Sequence, residues 1–121
     1  MILASGCFSP LSASYLTSSV CKTNEAFYFN VQPKGITVRE NSRAFLECNT
    51  STFCNIQFHW TLNDVIVANT TRRYQNGSNL VITRVNRSLD TGNFHCIATL
   101  ITNGLARESQ PAALSILCKF A

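Results

Sequence analysis

Two cysteines and a tryptophan, at a particular spacing, constrain the fold of this chain more than any other feature. Trp60 follows Cys48 by twelve residues, and Cys96 closes the run Asp90-Thr91-Gly92-Asn93-Phe94-His95-Cys96. Apolar and polar residues alternate around all three positions, and alternation with a period of two is typical of half-buried β-strands. We therefore predict that Cys48, Trp60 and Cys96 face a common core between strands.

These residues resemble the signature of the immunoglobulin-type β-sandwich. The resemblance implies that Cys48 on strand B and Cys96 on strand F bridge the two sheets. It also implies that Trp60 on strand C packs against the bridge. Two reduced thiols, as in intracellular immunoglobulin domains, are the alternative to the bridge. The resemblance further implies a structural ion pair between Arg73, at the start of strand D, and Asp90 at the base of the domain.

Extended segments separated by turn residues predict an all-β fold, a single I-set immunoglobulin-like sandwich. No stretch has a convincing helical period. Turns are predicted at Asn63-Asp64, at Asn76-Gly77 and at Asn103-Gly104, the last as a type I′ hairpin. The predicted strands cover 27–31, 36–39, 44–48, 56–62, 65–67, 73–75, 80–82, 94–98 and 105–117.

Six cysteines and four Asn-x-Ser/Thr sequons favour a secretory route. The candidate N-glycosylation sites are Asn49, Asn69, Asn76 and Asn86. Among these, Asn76 in a predicted turn is the better candidate, because Asn49 directly follows a core cysteine. The sequence alone does not determine a second disulfide. The cysteines whose pairing stays open are Cys7, Cys21, Cys54 and Cys118, and Cys118 is alternatively an unpaired thiol.

Three segments are predicted along the chain: a leader at 1–25, the immunoglobulin-like domain at 26–118, and a tail at 119–121. The leader is apolar-leaning, and residues 1–21 carry no acidic side chain. It nevertheless lacks a basic n-region, and serines and threonines interrupt each apolar run, so it is either a poor signal peptide or a divergent N-terminus. It is also too short and polar to span a membrane. The net charge of +4 comes from scattered basic residues, which argues against a nucleic-acid-binding patch.

The sequence contains no recognisable catalytic constellation, phosphate-binding loop or cofactor or metal motif. We therefore predict a non-enzymatic chain without cofactor or metal. His59 and His95 each stand beside a core residue, so alternation directs both imidazoles to the outer face of neighbouring strands C and F. They are either ordinary surface histidines or a weak metal or pH-sensitive site. This outer face, with Ile97 as its apolar centre, is the predicted binding face: Gln57, His59, Thr61, His95, Ile97 and Thr99.

Three short runs are more particular than the general immunoglobulin pattern: Arg72-Arg73-Tyr74, Val85-Asn86-Arg87 and Ala106-Arg107-Glu108-Ser109. With them, residues 26–117 resemble the first immunoglobulin-like domain of the receptor pseudokinase family of inactive tyrosine-protein kinase 7. Cys54, Cys118 and the poor leader depart from that pattern. The resemblance implies an extracellular recognition and adhesion module of a membrane-anchored receptor in Wnt and planar-cell-polarity signalling. Its implied partner is a cell-surface protein, bound homophilically or heterophilically.

Other classes of immunoglobulin domain remain as alternatives. A generic I-set domain of another adhesion molecule would have the same core residues. A variable-type immune receptor would need extra strands, for which residues 63–72 are few. An intracellular structural module agrees with the poor leader, whereas the sequons and cysteines speak against it.

Overall fold

The structure, a computed structural model, describes residues 26–52 and 54–118. The predicted leader with Cys7 and Cys21, and the predicted tail, lie outside these residues. The described residues form the strands β1 (Phe29–Val31), β2 (Ile36–Arg39), β3 (Ala44–Leu46), β4 (Asn49–Thr50), β5 (Ile56–Leu62), β6 (Val65–Ile66), β7 (Arg73–Asn76), β8 (Asn79–Ile82), β9 (Gly92–Leu100), β10 (Ala106–Glu108) and β11 (Ala112–Leu117). A single helical turn, α1, covers Arg87–Asp90.

Two sheets enclose the core. The larger sheet has the order β2-β11-β9-β5-β6, and β10 also pairs with β9. The opposing sheet has the order β3-β8-β7, while β1 and β4 form a separate pair. The pairing of β2 with β11 is parallel, whereas the other pairings are antiparallel. The predicted all-β immunoglobulin-like sandwich is confirmed.

Alternating burial along the strands explains how this sequence selects this arrangement. In β9 every second residue from Phe94 to Leu100 is buried, and in β11 Ala112, Leu114 and Ile116 are buried. Because one face of each strand is apolar, a register slip of one residue would expose the whole set. The main core cluster consists of Ala44, Leu46, Cys48, Trp60, Leu80, Ile82, Val85, Phe94, Cys96, Ala112, Leu114 and Ile116.

The type I′ backbone lies at a different turn from the one predicted. Asn63 and Asp64, between β5 and β6, have φ of 49° and 69°, and positive φ at both central residues is what a type I′ turn requires. At Asn103-Gly104 only Gly104 has positive φ, 76°. There the Gly104 N–H donates to the Leu100 carbonyl at 2.8 Å, and the loop is longer. Since the Asn103 side chain accepts from the Leu105 N–H at 2.9 Å, local side-chain bonding competes with the tighter turn.

Two further features differ from the expected strands. Helical turn α1 is too short to give a periodic pattern, and its N-cap Asn86 accepts from the N–H groups of Ser88 and Leu89. The expected single strand at 105–117 is divided into β10 and β11 around buried Ser109, two residues before Pro111, which has no N–H for the ladder. In the part of the chain that the structure describes, no helix has the length and apolar character needed to cross a membrane.

Candidate functional site

The bridge between the sheets is a disulfide. Cys48 and Cys96 are bonded, with their Cα atoms 6.4 Å apart. Trp60 is buried in the same cluster, and its indole N–H donates to the Ser78 carbonyl at 3.1 Å. Burying this indole therefore leaves no unsatisfied donor.

The remaining described cysteines differ from one another. Cys54 is disulfide-bonded as well. Cys118 is a free thiol, and the Arg87 guanidinium lies 2.6 Å from its Sγ. The predicted alternative of an unpaired Cys118 is thus the arrangement observed in the structure.

Asp90 organises a cluster of charges at the base of the sandwich. Its side chain has no solvent exposure. Arg73 donates from Nη1 to Oδ1 at 2.8 Å, the pair that the sequence suggested. Arg72, which sequence reasoning missed, makes the two-pronged contact, with Nη1 2.5 Å from Oδ2 and Nη2 3.0 Å from Oδ1. Strict alternation along a strand would direct adjacent arginines to opposite sides. The alternation pattern therefore did not indicate that Arg72 and Arg73 both contact Asp90.

Burial and hydrogen bonding act on the pKa of Asp90 in opposite directions. Desolvation by burial raises the pKa of this carboxyl. The hydrogen bond from Arg72, the backbone N–H of Asn86 and the charges of Arg72 and Arg73 lower it, and together they hold the pKa below its usual value of 3.8. The Asn86 N–H lies 2.7 Å from Oδ2. Asp90 is therefore an ionised structural anchor.

The four sequon asparagines occupy unequal environments. Asn49 and Asn86 are half-buried, whereas Asn69 and Asn76 are exposed. The Oδ1 atoms of Asn49, Asn69 and Asn86 accept from backbone N–H groups. Asn76 stands at the end of β7, beside the turn at Gly77. Of the four, Asn76 alone has a side chain that is both exposed and without a hydrogen bond to the described residues.

The predicted binding face lies on β5 and β9. The register pairs Gln57 with Thr99, His59 with Ile97 and Thr61 with His95, so all six side chains belong to one face of the larger sheet. Ile66 joins this face at its edge, because it pairs with Thr61, and it is 68% exposed. We call the surface of β5, β6, β9 and β10 that carries these residues the outer face.

One residue of the predicted face does not lie at the surface. Thr61 is only 8% exposed, so its assignment as a contact residue was wrong. Its short side chain stands between the larger cross-strand neighbours His95 and Ile66, which shield it from solvent.

His95 lies close to two carboxylates, those of Asp64 and Glu108. Asp64, His95 and Glu108 each have one potential metal-ligand atom here, and these three atoms lie within 4.8 Å of one another. The residues come from the turn after β5, from β9 and from β10, and no sequence spacing relates them. Knowledge of the strand pairing was therefore needed to find the cluster.

The paired sheets, the disulfide between them and the tryptophan against it define an immunoglobulin-domain protein. A family model described as "Immunoglobulin domain" matches residues 28–99, and the chain belongs to this family. Among its relatives is "Tyrosine-protein kinase-like otk" of Drosophila melanogaster, 37% identical over 90 residues, which cover 74% of this chain and 9% of the relative. Human "Inactive tyrosine-protein kinase 7" is 30% identical over 107 residues, covering 88% of this chain and 10% of the relative.

Solved structures share the fold at lower identity. "Tandem Ig repeats of Dlar" has a TM-score of 0.68 at 15% identity, covering 77% of this chain and 47% of that one. An immunoglobulin chain of the complex of titin M10 with obscurin-like 1 has a TM-score of 0.67 at 20% identity, covering 78% of this chain and 97% of that one. These likenesses concern the fold. The chain spans about a tenth of the length of the curated relatives it matches.

Proposed function

We propose that this chain is a non-enzymatic, extracellular recognition domain, equivalent to the first immunoglobulin-like domain of a receptor pseudokinase. Two of its relatives are named as a tyrosine-protein kinase-like protein and as an inactive tyrosine-protein kinase. The Cys48–Cys96 disulfide supports an oxidising, extracellular compartment. Exposed Asn76 supports passage through the secretory pathway.

The observation that carries the proposal is the outer face. Half-buried Ile97 lies on it among the polar side chains of Gln57, His59 and Thr99, and exposed Ile66 adds apolar surface at its edge. An apolar centre with a polar rim is the usual anatomy of a protein–protein contact surface. The partner is therefore a cell-surface protein, bound homophilically or heterophilically.

Binding to intact cells tests the outer face. The chain, secreted from animal cells and tetramerised on a fluorescent carrier, is expected to stain cells and to lose the staining after protease treatment of those cells. Ile66→Asp and Ile97→Thr should each lower the staining at least about tenfold, as hot-spot changes do. Leu89→Asp is the matched control, because Leu89 is 55% exposed in α1 and away from the face. Absent staining, or an equal loss in the Leu89 variant, would refute the assignment.

The finer role that we propose is in Wnt and planar-cell-polarity signalling and in cell adhesion, through a membrane-anchored parent protein. A free domain that occupies the shared partner would compete with the full-length receptor. Added secreted chain should therefore lower planar-cell-polarity signalling in cells that carry the receptor, whereas the Ile66→Asp variant should not. Equal signalling with and without the chain would contradict this role while leaving recognition itself testable by staining.

A further inference from the structure

Asp64, His95 and Glu108 form a mixed donor group at one edge of the outer face. Asp64 belongs to the type I′ turn, His95 to β9, and Glu108 is the last residue of β10. The three ligand atoms lie within 4.8 Å of one another. The His95 Nδ1 atom is 3.8 Å from the Glu108 Oε2 atom, which is too far for a hydrogen bond.

Two buried polar atoms at this group lack hydrogen-bond partners. His95 Nδ1 has no solvent exposure and accepts or donates no hydrogen bond. The hydroxyl of Thr61, the residue that pairs with His95, is likewise buried without a partner. Within residues 26–52 and 54–118, no lysine or arginine forms an ion pair with Asp64 or Glu108. Two exposed carboxylates therefore converge on a buried imidazole nitrogen that has no hydrogen bond, and a bound cation would give that nitrogen a partner.

We propose that Asp64, His95 and Glu108 bind one Zn²⁺ ion. One imidazole nitrogen and two carboxylates are a donor set that suits zinc, whereas Ca²⁺ and Mg²⁺ take oxygen ligands. Tetrahedral zinc with bonds of about 2.1 Å separates its ligand atoms by about 3.4 Å. The three ligand atoms, which lie within 4.8 Å of one another, must therefore move closer together. The side chains of Asp64 and Glu108 are both exposed and have the freedom to do so. Three protein ligands leave a fourth position for water or for a donor from a partner.

This inference is independent of the proposed recognition role, because zinc binding by the isolated chain needs no partner. The chain with its disulfides intact would be stripped of metal with a chelator and titrated with ZnCl₂ by isothermal calorimetry. Native mass spectrometry would give the stoichiometry. We expect saturable binding of one ion per chain. His95→Gln, Asp64→Asn and Glu108→Gln should each weaken it at least about tenfold, since even changes outside the ligand sphere cost 10–100-fold.

His59→Gln is the matched control, because it removes the other histidine of the same face and should leave the affinity unchanged. In NMR spectra the imidazole resonances of His95 should shift with zinc, and those of His59 should not. A cooperative thermal unfolding transition of each variant, measured in buffer that contains chelator, would establish that the variant folds without metal. Absent stoichiometric binding would overturn the proposal. Binding that survives the His95 change, or is lost equally with His59, would also overturn it.

Discussion

Asp90 is held by four hydrogen bonds, two from Arg72 and one each from Arg73 and the Asn86 N–H. The Asp90 side chain is wholly buried, while both arginines keep some exposure. The two ion pairs are therefore neither surface salt bridges nor fully desolvated ones. The carboxylate joins the start of β7 to α1. A single side chain thus fixes how two separate segments meet at the base of the domain.

Asp90→Asn should lower the free energy of unfolding by roughly 3–5 kcal/mol, the cost of leaving buried charges without their partner. Urea unfolding followed by tryptophan fluorescence measures this, since Trp60 is the single tryptophan. Asp64→Asn in metal-free buffer is the control, because Asp64 is exposed and Asn tolerates its positive φ. Equal effects of the two changes would show that the cluster around Asp90 contributes no more than a surface carboxylate does.

The lowered pKa of Asp90 also predicts a pH dependence of stability. Since the folded-state pKa lies below the ordinary 3.8, the unfolded chain takes up this proton more readily than the folded chain. The contribution is therefore complete above about pH 5 and is lost as the pH falls through the folded-state pKa. The difference in unfolding free energy between the wild type and Asp90→Asn should shrink from about pH 5 downwards. A difference that stays constant to about pH 2 would contradict it.

The start of β9 depends on a glycine that the turn at Asn63 requires. Gly92 has φ of 142°, and a Cβ built on it would lie 2.5 Å from the Asn63 Oδ1 atom. Asn63 is itself engaged, because its Oδ1 accepts from the Asn93 N–H at 3.0 Å. The glycine of the Asp-x-Gly box therefore serves the close approach of β9 to the turn between β5 and β6.

Gly92→Ala should destabilise the domain by about 1–3 kcal/mol, the usual cost of forcing such a backbone conformation on an L residue. Gly77→Ala is the control, because Gly77 also has positive φ, 63°, but nothing lies within 4 Å of its would-be Cβ. Chemical denaturation of both variants gives the comparison. If steric conflict contributes, Asn63→Ala should cost less in the Gly92→Ala background than in the wild type. A Gly92 variant no less stable than the Gly77 variant would contradict the argument.

How far the sequence predicts each element follows from the range of the interactions involved. The alternation around Cys48, Trp60 and Cys96 reports burial directly, so strands and core were found from it. Turn conformation at Asn103 depends on a local side-chain hydrogen bond that competes with the hairpin pattern. The Arg73–Asp90 pair followed from the resemblance to immunoglobulin domains. The added contact from Arg72 and the group around His95 depend on how distant segments meet in the fold, which one sequence does not reveal.

The domain as a whole is closed by Cys48–Cys96, which links residues separated by 48 positions. On the chain-entropy account a loop of this size contributes about 4 kcal/mol. That amount is a large part of the stability of a small domain. The stability of the domain therefore depends on whether this disulfide forms in the compartment where the chain is made.

Expression in a secretory animal cell should yield chain with Cys48 linked to Cys96 and with glycan on Asn76 above all. Asn76 is exposed, whereas Asn49 and Asn86 are half-buried. Non-reducing peptide mapping identifies the disulfide, and intact mass before and after glycosidase treatment gives the glycan. Asn76→Gln should remove the largest mass step, with Asn49→Gln as the control. An unchanged mass in the Asn76 variant would assign the main glycan elsewhere.

The parallel pairing of β2 with β11 has a mechanical consequence. Four register pairs, from Ile36 with Leu114 to Arg39 with Leu117, align β2 with β11, the last strand among the described residues. When a longer chain is pulled at both ends, tension enters at the start of β2 and leaves at the end of β11, at opposite ends of the pair. The load then shears all the hydrogen bonds between these strands together instead of opening them one by one. Once the short β1–β4 pairing has broken, the β2–β11 pairing would carry the pulling force across the domain.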